Sequence, residues 1–242
     1  MQRFQLFETD HDVVLALTLA VPLMLSFVSR RGRHIGRDAF IRRLFATLMI
    51  LAWIFWYALF VARGWLGIGN ELPMNLCDWA SIAAIAACLT RGLRAYELAY
   101  FWSLAGTLQG LITPDINFPF PELQFIAFMA VHAFIVAAVL YLTFGSGLRP
   151  VPASLPRVAL WTLAYVGAAG LTDWLTGTNY AFLRFKPGHA TLYDLLSPWP
   201  AYIPETVALG LAAILILYAP WWIADRLAAR LAARRSASAP AR

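Results

Sequence analysis

The stretch Leu123-Gln-Phe-Ile-Ala-Phe-Met-Ala-Val-His-Ala-Phe-Ile-Val-Ala-Ala-Val-Leu-Tyr-Leu-Thr-Phe144 runs 22 residues without one Asp, Glu, Lys or Arg. As a helix it would rise about 33 Å at 1.5 Å per residue, enough to cross a hydrocarbon core of about 30 Å. Similar runs recur on both sides of it: Val13–Val28, Leu44–Ala62, Leu76–Thr90, Tyr96–Ile112, Val158–Thr176 and Tyr202–Ala224. The chain is 61% hydrophobic and only 13% charged, with a mean hydropathy of +0.65. That is too little charge to cover a soluble domain of 242 residues. The short alternating strands of a membrane barrel are absent. The expectation is an all-α, polytopic membrane bundle of about seven transmembrane helices. It forms a single transmembrane domain over 1–233, followed by a disordered basic tail over 234–242 rich in Ser, Ala and Arg.

The arginines orient the bundle. Ser29–Arg43 carries Arg30, Arg31, Arg33, Arg37, Arg42 and Arg43 against one acid, Asp38. Arg91 and Arg94 follow the third run, Arg149 and Arg157 the fifth, and Arg226, Arg230, Arg234, Arg235 and Arg242 the last. Cytoplasmic loops are enriched in Lys and Arg, so the amino terminus is expected outside and the carboxyl terminus inside. The net charge of +6 is then explained by topology and by contact with anionic lipid rather than by nucleic acid. Glu8, Asp10 and Asp12 precede the first run and the arginines follow it, the reverse of a secretory signal peptide.

No metal or cofactor is implied. Cys77 and Cys88 lie too far apart on one helix to bridge, and there is no Cys-x-x-Cys pair, metal-like His spacing or phosphate-binding glycine loop. Polar chemistry gathers on the outer side instead. One segment is Glu71-Leu-Pro-Met-Asn-Leu-Cys-Asp-Trp79, where Pro73 precedes an apolar run. A second is Thr107–Glu122, and a third is Asp173–Glu205, which includes Lys186-Pro-Gly-His189. Loops mixing aromatics, amides, carboxylates and prolines are where sites tend to lie. Asn75, Asp78, Gln109, Asp115, Asp173, Asn179, Tyr180 and Lys186 are the candidate lining of an outward-facing polar pocket, with Asp173–Glu205 as its ordered lid. Taken singly, each acid near a span end could simply stay wet at the interface.

His132 lies about 15 Å below Glu122 by helical rise, near the midplane. Two readings stay open. It is a neutral imidazole bonded across helices, to Ser103 or Gln109, or it is a general base in the pocket. Cys77, about 6 Å below Pro73 by the same rise, is the candidate thiol nucleophile, provided a base reaches it.

Leu72-Pro-Met-Asn-Leu-Cys-Asp-Trp79, Tyr100-Phe-Trp-Ser-Leu-Ala-Gly-Thr-Leu-Gln109, Leu111-Ile-Thr-Pro-Asp115, Gly177-Thr-Asn-Tyr180 and Ser197-Pro-Trp-Pro200 resemble the bacterial YwaF-like integral membrane family, which is related to eukaryotic transmembrane protein 164. The resemblance covers nearly the whole membrane portion. It implies a multi-pass protein of the bacterial inner membrane in contact with lipids, without settled activity among its bacterial members. The eukaryotic relative is described as a Cys-dependent lipid acyltransferase and resembles androgen-induced hydrolases that pair Thr with His. His132 sits where the family places a His in an apolar helix. The family's Cys position is filled here by Met74, with Cys77 nearby. Two classes follow: lipid acyl transfer or hydrolysis using His132 with Cys77 or a water, or binding and transport of a small amphipathic molecule. A scaffold for other membrane proteins is a weaker third. The oligomeric state is not encoded in any motif.

Overall fold

The computed structural model describes residues 4–31, 35–67, 72–188 and 191–237. Of the features singled out above, Arg33, Glu71, His189 and 238–242 lie outside them. The helices are α1 (Thr9–Arg31), α2 (Ile35–Arg63), α3 (Leu76–Thr90), α4 (Leu93–Trp102), α5 (Leu108–Ile112), α6 (Leu123–Phe144), α7 (Ser154–Thr176) and α8 (Tyr202–Ala237). A π-helical turn, Ser103–Thr107, joins α4 to α5 end to end. Two short 3-10 turns, Tyr180–Phe182 and Leu192–Leu195, lie between α7 and α8. Among the described residues there is no strand.

Five helices, α1, α2, α6, α7 and α8, are long and apolar enough to cross a membrane alone. The chain is therefore a helical membrane bundle. The other two expected runs are helical but differ from simple spans. α3 has 15 residues, a length of roughly 22 Å. It packs against α2, α4 and α6, and its buried positions are the small residues Ala80, Ser81, Ala83, Ala84, Ala87 and Cys88, while Ile82 and Leu89 stay exposed. Small side chains let neighbouring backbones approach closely where dispersion, not water exclusion, drives packing. The fourth run is interrupted by the π turn. α6 is the hub and packs on α1, α2, α3 and α5, and two thirds of its most apolar window is buried. α8 has 36 residues, about 54 Å, so it projects well past a core of about 30 Å. It continues as helix through Ala237, beyond the expected end at Ala224 and into the first residues of the expected tail.

The Arg-rich end is closed by two polar clamps. Asp38 accepts from Arg42 Nε (2.9 Å), Ser146 Oγ (2.6 Å) and Tyr141 Oη (3.3 Å), while an Arg42 guanidinium nitrogen donates to the Cys88 carbonyl. Glu97, fully buried on α4, accepts from Ser154 Oγ (2.6 Å) and from Arg157 at 2.5 and 3.0 Å on α7. The half-buried Asp38 and the buried Glu97 are thus each paired and further hydrogen-bonded, as removal of charge from water demands.

The opposite end carries Asp173–Glu205, the segment expected as a lid. Gly177 ends α7 in the left-handed region (φ 77°), and its N–H bonds the Asp173 carbonyl. The chain then folds back over the start of α3. Leu72 N–H donates to Tyr180 Oη (3.0 Å), and Tyr165 Oη donates to the Met74 carbonyl (3.1 Å). Glu205, in the first turn of α8, accepts from the Ser197 N–H (2.8 Å) and hydroxyl (2.5 Å).

Candidate functional site

Pro114 removes a backbone donor just past α5, so the last carbonyls of that helix need outside partners. His11 supplies one: its Nε2 lies 2.9 Å from the Leu111 carbonyl. Because its Nδ1 accepts from the Phe7 N–H (3.1 Å), Nε2 carries the proton and donates. His11 is thereby a structural histidine. The first span was expected from Val13, which left His11 outside it; the helix starts at Thr9 and buries His11 completely.

His132 has the opposite tautomer. Its Nδ1 lies 2.8 Å from the Phe128 carbonyl, one turn back on α6. A carbonyl can only accept, so Nδ1 holds the proton and Nε2 keeps its lone pair. The ring stacks on Phe128 with centroids 4.1 Å apart. Its other edge faces Gly110 of α5, where a Cβ would stand 3.4 Å from Cδ2 and 3.5 Å from Nε2. Among the described residues no hydrogen-bond partner meets Nε2. The expected cross-helix bond to Ser103 or Gln109 is not formed; the helix's own backbone takes that place, because a ring leaning toward the helix amino terminus reaches the carbonyl four residues back. Gln109 itself is exposed.

Cys77 is half-buried and its polar neighbour is Asp78, whose Oδ1 lies 3.9 Å from Sγ. A carboxylate is the wrong neighbour for generating a thiolate. No hydrogen bond joins Cys77 to His132 among the described residues. Asp78 is the third residue of α3, and its Oδ2 accepts from the N–H of the N-cap Asn75 (2.8 Å), half of a capping box. Asn75 is exposed.

The other candidate pocket residues bind the lid to itself. Asp173 is buried, and its Oδ1 accepts from Thr178 Oγ1 and the Tyr180 N–H, each at 2.7 Å. Asn179 Oδ1 accepts from the Arg184 (2.9 Å) and Phe185 (3.0 Å) N–H groups, and its amide donates to the Phe185 carbonyl (2.9 Å). Lys186 Nζ donates to the Leu196 carbonyl (2.8 Å) and sits over the Tyr202 ring. Asp115 is exposed beyond α5. These side chains mostly hold backbone together; among the described candidate residues the open acceptors that remain are the buried Asp173 Oδ2, beneath the start of the Asp173–Glu205 segment, and His132 Nε2, within the bundle.

A family model for the TMEM164 family matches residues 6–218. The chain belongs to the TMEM164 family. The sequence kinship with transmembrane protein 164 thus extends through every helix up to the middle of α8. A protein of Treponema pallidum (strain Nichols) described as uncharacterized is 26% identical over 152 residues, 63% of this chain and 63% of that protein. The chain therefore spans about 63% of the length of the curated relative it matches. No solved structure matches.

This TMEM164-family chain also has a cavity of about 930 Å³ between α1, α2 and α6. Val13, Leu17, Leu25, Phe45, Phe134 and Ala137 are among its mostly apolar walls, and Glu8 and Asp10 stand at one end. Met129 and Ala133 line it beside His132 in sequence, while the imidazole faces α5 instead. Sequence reasoning missed this cavity because it is made by three helices far apart in the chain. It also missed Gly110, whose only signal was a glycine in an apolar helix.

Proposed function

We propose that this TMEM164-family protein hydrolyses or transfers an acyl group of an ester lipid at the outer leaflet of the bacterial inner membrane, with His132 Nε2 as the general base. The observation that carries the reading is the tautomer: Nδ1 is committed to the Phe128 carbonyl, which leaves Nε2 as an unpaired acceptor beside the missing side chain of Gly110. Nε2 takes the proton of an attacking hydroxyl, from water in hydrolysis or from an acceptor lipid in transfer. That oxygen bonds the ester carbonyl carbon. The ester C–O bond then breaks, and the departing alkoxide takes the proton back from Nε2. The apolar groove between α1, α2 and α6 supports lipid chains as ligands, and is also what the alternative of binding or transporting a small amphipathic molecule would use.

Turnover of ester lipids by the full chain in liposomes tests this. His132→Gln should leave an inserted, folded protein and lower the rate by about 10²–10⁴-fold, the usual share of general base catalysis. Cys77→Ser keeps its rate if oxygen attacks directly and loses it if the thiol carries the acyl group. Full turnover by His132→Gln would remove the mechanism, and saturable lipid binding without turnover would favour the binder.

A further inference from the structure

Hydroxyls in membrane helices usually satisfy themselves. Among the described residues, eight Ser and Thr side chains donate to the carbonyl four residues back, Thr18 to Val14 and Thr143 to Val139 among them. Ser81 and Ser154 find side-chain partners instead. Among the described residues, two fully buried hydroxyl oxygens have none: Ser103 Oγ and Thr107 Oγ1, on residues 0% and 2% exposed. They bracket the π turn, whose register is set by the Leu108 N–H reaching the Ser103 carbonyl. Such turns are frequent at functional sites, and an unpaired buried hydroxyl is destabilising unless a ligand pairs it.

The two lie on one face, four residues apart, and Gly110 continues that face three residues beyond Thr107. Neighbours at that spacing have Cβ positions about 5–6 Å apart, and the Cβ position of Gly110 is itself 3.5 Å from His132 Nε2. α3, α6 and α8 close over the π turn, and Leu76 comes so near that a Cβ at Gly106 would stand 2.6 Å from its Cδ2.

We propose that Ser103 and Thr107 form a two-donor site for the carbonyl oxygen of an ester-linked acyl lipid, with Thr107 about one helical turn from Gly110, the residue that faces His132. An ester carbonyl has two lone pairs for two donors and carries no charge into an apolar interior. As the carbonyl carbon is attacked, the same donors face the growing negative charge on its oxygen. The site deepens the acyl-ester reading above and rests on it for the identity of the ligand.

The test uses the full chain in lipid nanodiscs with a monoacylglycerol isotopically labelled at its ester carbonyl. Infrared difference spectra should show a bound carbonyl band at lower frequency in the wild type, and the doubly substituted Ser103→Ala, Thr107→Val protein should lose it. Thr107→Val alone should lower ester turnover by about 10²–10³-fold, as loss of one such donor does, and Thr107→Ser should restore it. Thermal stability should hold or rise, since a buried hydroxyl without a partner is replaced by a methyl. Should the double variant fail to accumulate, the single variants carry the same reading. A shifted band that survives both substitutions, or is missing from the wild type, overturns the site, as does an acyl adduct on Thr107 or Ser103, which would make it a nucleophile. A shifted band that depends on both hydroxyls without any wild-type turnover keeps the site and removes the enzyme.

Discussion

Gly110→Ala separates the chemistry of His132 from its packing. The added methyl would sit 3.4 Å from Cδ2 and 3.5 Å from Nε2, ordinary contact distance, so nothing need move. Gly110 has no left-handed backbone to protect and lies within α5. Replacing a helical glycine by alanine under those conditions stabilises by about 0.4–1 kcal/mol, chiefly by restricting the unfolded chain. For a chain of this size that is roughly 1–4 °C of melting temperature. The same methyl occupies the space in front of the Nε2 lone pair, where an attacking hydroxyl would have to come within about 2.6–3.2 Å. The expected outcome is a protein as stable as wild type or more so, with ester turnover reduced by about 10²–10⁴-fold. Thermal denaturation in detergent and lipid turnover in liposomes read the two effects on one preparation. Gly106→Ala is the steric contrast: its methyl would meet Leu76 Cδ2 at 2.6 Å, so Leu76 must shift, and overpacking of that kind costs about 1–3 kcal/mol. Undiminished turnover by Gly110→Ala would show that no reacting group approaches Nε2 from α5.

Arg42→Met should destabilise the Arg-rich end by about 3–5 kcal/mol, toward the lower figure because Asp38 keeps its bonds from Ser146 and Tyr141; a melting temperature equal to wild type would show that the clamp contributes nothing. Asp173→Ala should take the acceptor from the buried Tyr180 N–H, a loss of about 1–3 kcal/mol, while the Thr178 hydroxyl keeps its bond with Thr176 Oγ1 (2.8 Å). Hydrogen exchange over residues 177–185 should then quicken about 10-fold or more, while Asp173→Asn, which keeps Oδ1, should stay close to wild type. Exchange already fast in the wild type would contradict an ordered lid.

The expectation of a polar pocket shows where sequence reading stops. Asp78, Asp173, Asn179 and Lys186 were noticed because charged and amide groups near an apolar span need partners. That inference was sound, but a sequence does not say whether the partner is a ligand or the chain's own backbone. The fold supplies backbone: an N-cap N–H for Asp78, a turn for Asp173 and Asn179, a loop carbonyl for Lys186.

Composition and run length alone were sufficient for the helical membrane bundle, since lipid leaves a backbone no alternative to internal hydrogen bonding and apolar length is countable in one dimension. The limits of α3 and α6 were legible for the same reason, with Asn75 and Glu122 marking the polar-to-apolar change just ahead of them. The position of His132 along α6 was also countable. Its tautomer was not, because that depends on the Phe128 carbonyl and the ring's lean. Nor were the Gly110 contact, the unpartnered Ser103 and Thr107 hydroxyls or the groove between α1, α2 and α6. Each of these depends on which helix faces which, and that is settled by three-dimensional packing of side chains distant in sequence.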